Sequence, residues 1–413
     1  MQFVLRASIA IILLLFLSGC VSHTHEFMQS QVRENLLQEN WQQQIDKDPM
    51  KWKKHADNWL WFGGANEVEQ MNRRAPYSDA ISTMMVKVPD FTQIKVNGDF
   101  QVQLDGRFQH NSVYLLGPNE EIRRVVVEVK DHTLDIHRVV EKNEDPRHVI
   151  VRIAIHNLQN LVQNGEGKIE GRFIRANPLT LTSTGSGPIV LVGKINVKQV
   201  DQMGSGDITL LGAYTPYLKI DSTGSGAVNI SGRVGVESIT HKGTGDINII
   251  GADTNSLSIW ATGAGKIGIQ GIANVKKIDA SGDAHVYLYF VKSKDLYVYL
   301  QDRANVGLAG ETKALYVDAK NSSVFAGSYL RSKYTYVRAR QWAHINAAAD
   351  ERAFAAADDN SSVYLIGLPD VISPYVNDNA VIIPIEPPPR TPAEVLRYKK
   401  KKAKRFGSET YLP

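Results

Sequence analysis

Few side chains in this sequence are placed to do covalent or acid–base chemistry. Cys20 is the only thiol in 413 residues, and it stands where an apolar run ends. A lone cysteine allows no intramolecular disulfide, so the fold must rest on its core. Asp201, Asp221 and Asp279 occupy equivalent places in an internal repeat. Asp201 and Asp221 are therefore expected on neighbouring strands about 5 Å apart, a separation suited to acid–base work on a glycan. His241 and Ala261 are expected beside them in the next coils. Gly206-Asp207 and Gly245-Asp246 raise the question of calcium, which wants about six to eight oxygens. The corresponding positions hold Lys168, Pro188, Ala227 and Lys266, so this column is a poor cation site. No nucleophile elbow, P-loop or zinc spacing is present, and solvated turn aspartates are common. The expectation is no catalytic residue, no metal and no cofactor, with a polysaccharide lyase or hydrolase as the alternative. The more suggestive groups are aromatic. If Leu296, Val298 and Leu300 face inward, then Tyr297 and Tyr299 face outward. Tyr316 lies one coil after Tyr297, and Tyr287 and Tyr289 face outward on the other strand. Such rings stack on sugar faces or bury in a partner.

The N-terminus has the parts of a secretory signal: Arg6 as the only positive charge, then Ala7 to Leu17, apolar except for Ser8. Leu17-Ser18-Gly19-Cys20 resembles the bacterial lipobox. That resemblance implies removal of residues 1–19, a diacylglycerol thioether on Cys20 and acylation of the new amine. Each acyl methylene contributes roughly 0.8 kcal/mol, and two or more chains make a stable anchor. Val21 follows the cysteine where an aspartate marks inner-membrane retention, so similarity to enterobacterial sorting implies the outer membrane. His23 and His25 read as linker rather than as metal ligands.

These groups must be positioned by the elements that follow. Residues 20–80 are rich in Gln, Asn and charge, and Leu36, Leu37, Trp41 and Ile45 recur at helical spacing. This predicts helices over about 26–46 and 50–60, a lipid-anchored linker whose Trp41, Trp52, Trp59 and Trp61 cap an end of the following domain. From Phe91 the texture is β. Gly-x-Gly or a close relative recurs from Gly165 at steps of 20, 19, 20, 19 and 20 residues, through Gly263-Ala264-Gly265. An alternating strand follows each turn, as in Ile189/Leu191 and Ile208/Leu210. A second apolar ladder follows half a period later, through Val200, Ile220, Ile239, Ile259 and Ile278 to Val337. Degenerate copies persist as Val324, Ile345 and Val363/Leu365. One such coil cannot bury its own apolar face, but stacking on the next does so and pairs both backbone edges. The expected fold is all-β: a parallel β-solenoid over 81–385 with coils of about 19–20 residues, two internal apolar columns and glycines supplying positive φ at the corners.

The run from Phe91 to Gly98, then Val102-Gln103-Leu104, Leu134-Asp135-Ile136 and Leu158 to Gly167 with the Gly-x-Gly repeats, resembles the head GIN domain family of auto-transporter adhesin-like proteins, best over 91–310. The resemblance implies an exported bacterial protein, often a lipoprotein, with a β-helical body and no catalytic residues to transfer.

The formal charge is +4. From Arg390 to the end, eight basic residues face Glu394 and Glu409, so this tail carries +6 and the rest about −2. No basic body argues for nucleic acid. Residues 386–413, with Pro387-Pro388-Pro389, read as a proline-rich, basic, solvated tail. The function expected is therefore a non-enzymatic lipoprotein of the outer membrane, reaching the membrane through Cys20 and presenting its solenoid to an envelope glycan or protein.

Overall fold

The computed structural model describes residues 81–139, 149–367 and 369–385. They are almost entirely strand, wound as a parallel β-solenoid of about twelve turns. The leader, Cys20, the helices expected within 20–80 with their tryptophans, and the tail from 386 lie outside the described residues. Among the described residues no helix is long and apolar enough to cross a membrane.

The first turns are irregular. They comprise β1 (Ile81–Val86), β2 (Gln93–Asn97), β3 (Gln101–Asp105), β4 (Ser112–Pro118), a short helix α1 (Asn119–Arg123), β5 (Val125–Lys130), β6 (Thr133–Arg138), β7 (Ile150–Ala154) and β8 (Asn160–Gln163). Pairing is out of chain order. β2 lies between β6 and β8, and β3 between β7 and β9 (Ile169–Ser183), all parallel. The coil of β6 and β7 therefore sits outside the coil of β2 and β3. Strands β5 and β4 then pair antiparallel with β6 and β7, and β1 antiparallel with β4. A raw end of parallel coils would leave apolar rows and backbone groups unpaired. The reversed strands and α1 cover them, and Phe91, Phe100, Leu115 and Ile122 are buried.

Strands β9 to β17 then stack in chain order, each parallel to the next. After β9 they are β10 (Ile189–Gln202), β11 (Ile208–Ser222), β12 (Val228–His241), β13 (Ile247–Ala261), β14 (Lys266–Ala280), β15 (His285–Leu300), β16 (Asn305–Ala319) and β17 (Val324–Ala339). Both expected columns exist: Ile189, Ile208, Val228 and Ile247 are successive partners, as are Val200, Ile220, Ile239 and Ile259. A third inward ladder runs between them through Ile195 and Val197, Ala213, Val234 and Val236, Ala252, and Ala273 and Val275. Its short side chains and the register shifts flanking it hide it from a reading based on period. The coil has three sides rather than two, in chain order those of Ile189, of Ile195 and Val197, and of Val200. Val324 is also corrected: it joins the outward row of His285 and Asn305, and Phe325 turns inward between Val306 and Ile345.

The alternating 20- and 19-residue steps have a structural cause. Corners come in two forms in alternate coils. Phe173, Gly212, Gly251 and Phe290 have φ of 54°, 81°, 84° and 66°, while Gly232, Gly271 and Gly310 have φ of 145°, 132° and 137°. The repeating unit is thus a pair of coils, 39 residues long. Buried polar groups keep the same period: Gln163, Gln202 and His241 form one set. Thr215 and Thr254 form another, their hydroxyls donating to Val197 O and Val236 O at 2.6 and 2.5 Å.

The Gly-x-Gly turns, by contrast, do not use glycine for positive φ as expected. A Cβ on Gly185 would lie 1.9 Å from Gly165 O, and one on Gly204 1.9 Å from Gly185 O. Successive turns stack backbone on backbone and leave no room for a side chain. From Gly282 onward the turn changes: Gly282, Asp302, Asn321, Gln341 and Asp359 take left-handed φ of 62° to 65°. Their side chains tie coil to coil, Asn321 N donating to Gln341 Oε1 at 3.0 Å and Gln341 N to Asp359 Oδ2 at 2.9 Å. This is how the repeat outlives its glycines.

The stack closes with β18 (His344–Ala348), β19 (Arg352–Ala357), β20 (Ser362–Ile366), β21 (Val371–Val376) and β22 (Val381–Ile385), which ends where the solenoid expected over 81–385 ends. Val381 N donates back to Ser361 O and Asn377 N to Ala357 O, both at 3.0 Å. Because alternate residues of a parallel strand bond to opposite neighbours, Pro374 and Pro384 occupy the positions whose N–H would point out of the stack. They remove donors from the free edge and so oppose addition of another strand.

One buried group is expected to make the stability of the coil depend on pH. His241 is fully buried, and neither ring nitrogen has a hydrogen-bond partner. Gln202 and Gln163, one and two units earlier, donate from Nε2 to Gly206 O and Gly167 O. Burial pushes the His241 imidazole below its usual pKa, with Asp246 opposing the shift more weakly. Its stability contribution is therefore complete above the unfolded pKa of about 6.5 and lost as pH falls from there through the folded value. In urea titrations His241→Gln is expected to remove that acid-sensitive component and to stabilise the coil by about 1 kcal/mol through the restored hydrogen bond. An unchanged pH profile in the variant would contradict this.

Candidate functional site

The third side of the coil, late in the stack, carries the most distinctive surface. On β15 Leu296, Val298 and Leu300 are buried, so Tyr297 and Tyr299 project outward as expected. The parallel register sets Tyr297 against Tyr316, Tyr316 against Tyr336 and Tyr336 against Phe354. Their centroids are 4.7, 4.8 and 5.1 Å apart with interplanar angles of 9°, 5° and 2°. Strand spacing alone dictates these distances, and each stacked pair adds about 0.5–1.5 kcal/mol beyond area burial. Desolvation within the ladder raises the Tyr316 hydroxyl pKa, assisted by Tyr297, Tyr336 and Asp295.

Two residues further along each strand runs a second column: Tyr299, Asp318, Arg338, Ala356 and Tyr375. Between the columns lies an open groove of about 410 Å³, in the size range of ligand sites. The small Ala356 and Ser373 widen it, and Tyr299 and Tyr375 flank it. Its charges are largely committed: Arg340 pairs with Asp318 at 2.5 Å, Arg338 with Asp358 at 3.4 Å, and Lys277 Nζ sits 5.1 Å over the Tyr299 ring. The chemistry on offer is therefore apolar, edged by phenol hydroxyls. Stacking also settles which part of each ring is available. The faces of Tyr316 and Tyr336 are covered by their neighbours, so they present edges and hydroxyls rather than platforms for sugar rings.

Of the five tyrosines singled out in the sequence, the structure gathers Tyr297, Tyr299 and Tyr316. Tyr287 and Tyr289 lie on the first side of the coil, where the Tyr287 ring stands 6.4 Å from that of His285 and covers Gly307. Sequence reasoning missed Tyr336, Phe354 and Tyr375. The signal was present: each of the first two directly precedes an inward residue, Val337 or Ala355, but the column turns from valine to alanine there and its periodicity fades.

The other candidates resolve as follows. Asp201 and Asp221 are direct neighbours, but the next residues in their row are Thr240 and Trp260. His241 and Ala261, expected there, are one position on and face inward. Asp201 accepts a bond from Gln199 Nε2 at 2.8 Å. Asp207 and Asp246 each accept from a backbone N–H of the next coil, Ala227 and Lys266, at 2.8 Å, a tie between turns. Glu128, Asp135 and His137 cluster on the β5–β6 hairpin, but Asp135 already holds Lys95 at 3.5 Å and Asn97 Nδ2 at 2.8 Å.

Residues 90–276 match the family described as "Putative auto-transporter adhesin, head GIN domain". Among solved structures the chain is similar to a "putative adhesin" from Bacteroides fragilis NCTC 9343, with 15% identity over 75% of this chain and 98% of the other and a TM-score of 0.24. It is also similar to a "putative lipid binding protein" from Parabacteroides distasonis ATCC 8503, with 13% identity over 74% and 96% and a TM-score of 0.25. A "putative adhesin" from Parabacteroides merdae ATCC 43184 shows 9% identity over 74% and 96%, with a TM-score of 0.25. No curated protein matches the chain.

Proposed function

We propose that the protein, whose residues 90–276 match the head GIN domain family, is a non-enzymatic lipoprotein of the outer membrane. It is anchored through Cys20 and binds an envelope partner along the ladder of Tyr297, Tyr316, Tyr336 and Phe354. The single observation carrying this reading is the ladder with its groove: four rings in register, beside an apolar channel whose charges are already paired. Such a surface costs little to desolvate, and aromatic groups concentrate binding energy. Covered ring faces favour a protein segment that buries against ring edges. A glycan would use the hydroxyls, the outer face of Phe354, which adjoins only Ser373, or the exposed rings of Tyr299 and Tyr375 at the groove.

Tyr316→Ser combined with Tyr336→Ser leaves every inward column intact. Binding of the chain from residue 20 onward, carrying Cys20→Ser, to isolated envelopes is expected to fall tenfold or more, about 1.4 kcal/mol or greater. Protease treatment of the envelopes should abolish binding if the partner is protein, and periodate treatment if it is glycan. Undiminished binding by the double variant would overturn the assignment.

A further inference from the structure

We propose that one corner of the solenoid rests on an anionic lipid surface, with Ile272, Phe290 and Tyr329 entering the headgroup layer and a row of lysines beside them meeting its phosphates. This corner and the second side of the coil share no residue with the aromatic ladder, so the inference stands apart from the binding reading above.

The first observation is an aromatic residue where the fold favours glycine. Phe290 occupies the corner position held by Gly212 and Gly251 in the two preceding units, and it keeps their left-handed backbone at φ 66°. L side chains rarely adopt that conformation, so a residue held there needs a reason. Phe173, at the same corner in the first unit, packs beneath Arg107, with the guanidinium 5.0 Å from its ring centroid. Phe290 instead is 53% exposed. Ile272, one coil before, is 58% exposed, and Tyr329, two coils after, 62%. None of the three lines the groove beside the aromatic ladder.

The second observation is the pattern leading away from the corner. Outward positions alternate with inward ones as Ile272, Asn274, Lys276, then Phe290, Lys292, Lys294, and again Tyr329, Arg331, Lys333. The intervening coil contributes Glu311 and Lys313. Ser293, Thr312 and Ser332 are register partners, as are Asp295, Ala314 and Tyr334. Lys294, Lys313 and Lys333, lying between these rows, therefore stand opposite one another on three successive coils, about 4.8 Å apart. Like charges placed directly opposite are unfavourable in a sheet. Lys333 is relieved by Glu351 at 3.4 Å and Arg331 by Asp350 at 3.0 Å. Among the described residues Lys276, Lys292, Lys294 and Lys313 have no ion pair. Glu311 is the one acid in these outward positions.

Exposed apolar tips beside unneutralised lysines match the interfacial layering of a membrane, in which acyl boundary and phosphate lie at successive depths. A soluble acidic polymer would satisfy the lysines and leave the tips in water. This favours the lipid surface.

The test uses the chain from residue 20 onward with Cys20→Ser, which lacks the apolar leader, the only thiol and any acyl anchor, and Phe290→Cys labelled with an environment-sensitive fluorophore. The label is expected to shift to the blue with vesicles of phosphatidylcholine and phosphatidylglycerol, and not with phosphatidylcholine alone. A label at Ser225→Cys, on an exposed Gly-x-Gly turn, is expected to stay unchanged. Replacing Lys292, Lys294 and Lys313 by Gln should lower vesicle affinity about fivefold per lysine. Four results would overturn the proposal: no shift at 290, an equal shift at 225, undiminished affinity in the lysine variant, or the same shift with dextran sulfate in the absence of vesicles.

Discussion

Gly204→Ala is expected to destabilise the solenoid by about 3 kcal/mol or more, at the upper end of what overpacking a well-filled site costs. The added Cβ would lie 1.9 Å from Gly185 O, 2.7 Å from Thr184 C and 2.8 Å from Gly185 N. All three are backbone atoms, so no rotamer change relieves the contact, and coils must separate where Gly204 N donates to Ser183 O. Gly268→Ala is the matched control. Its Cβ would meet only the Asn248 side chain at 3.3 Å and a backbone oxygen at 4.0 Å. Loss of unfolded-state freedom then makes it neutral or stabilising, by up to about 1 kcal/mol. Urea midpoints of the two variants should differ widely. Equal midpoints would mean that the turns do not stack backbone on backbone.

The second large effect is expected at Cys20. Cys20→Ser should abolish incorporation of labelled palmitate and, behind a leader that is cut independently of the cysteine, move the chain from the membrane pellet to the soluble fraction, measured in salt high enough to screen the basic tail. Two or three acyl chains, at roughly 0.8 kcal/mol per buried methylene, bind far more strongly than any surface contact. Equal labelling of parent and variant would remove the anchor from the account and leave the solenoid intact.

How much of this was legible in the sequence follows from what periodicity can and cannot encode. Ile189, Ile208 and Val228 announce their column because each is bulky, β-branched and set one coil apart, and the period follows from the stacking itself. Alternation likewise placed Tyr297 outward and set Tyr316 beside it. The third inward ladder was not legible, since Ala213, Ala252 and Ala273 are too small to stand out and bulges on either side shift their spacing. The reversed strands β1, β4 and β5 were hidden because alternation reports a strand's face and not its direction. Positive φ holds at the strand-closing glycines such as Gly212, Gly232 and Gly251, but the Gly-x-Gly glycines were read the same way, because composition cannot separate a residue needed for its dihedral angles, like Gly251, from one needed for its missing side chain, like Gly204. The 39-residue unit is visible in retrospect as the regular swing between 20 and 19, a sign that consecutive coils turn their corners differently.

The binding role of the ladder is tested most directly by placing a photoactivatable phenylalanine analogue at position 336 in living cells, with position 225 as reference. Illumination is expected to yield a discrete adduct from 336 that is absent from 225 and is lost when Tyr316 is also changed to Ser. Identical products from both positions, or none from 336, would contradict a partner held along the rings.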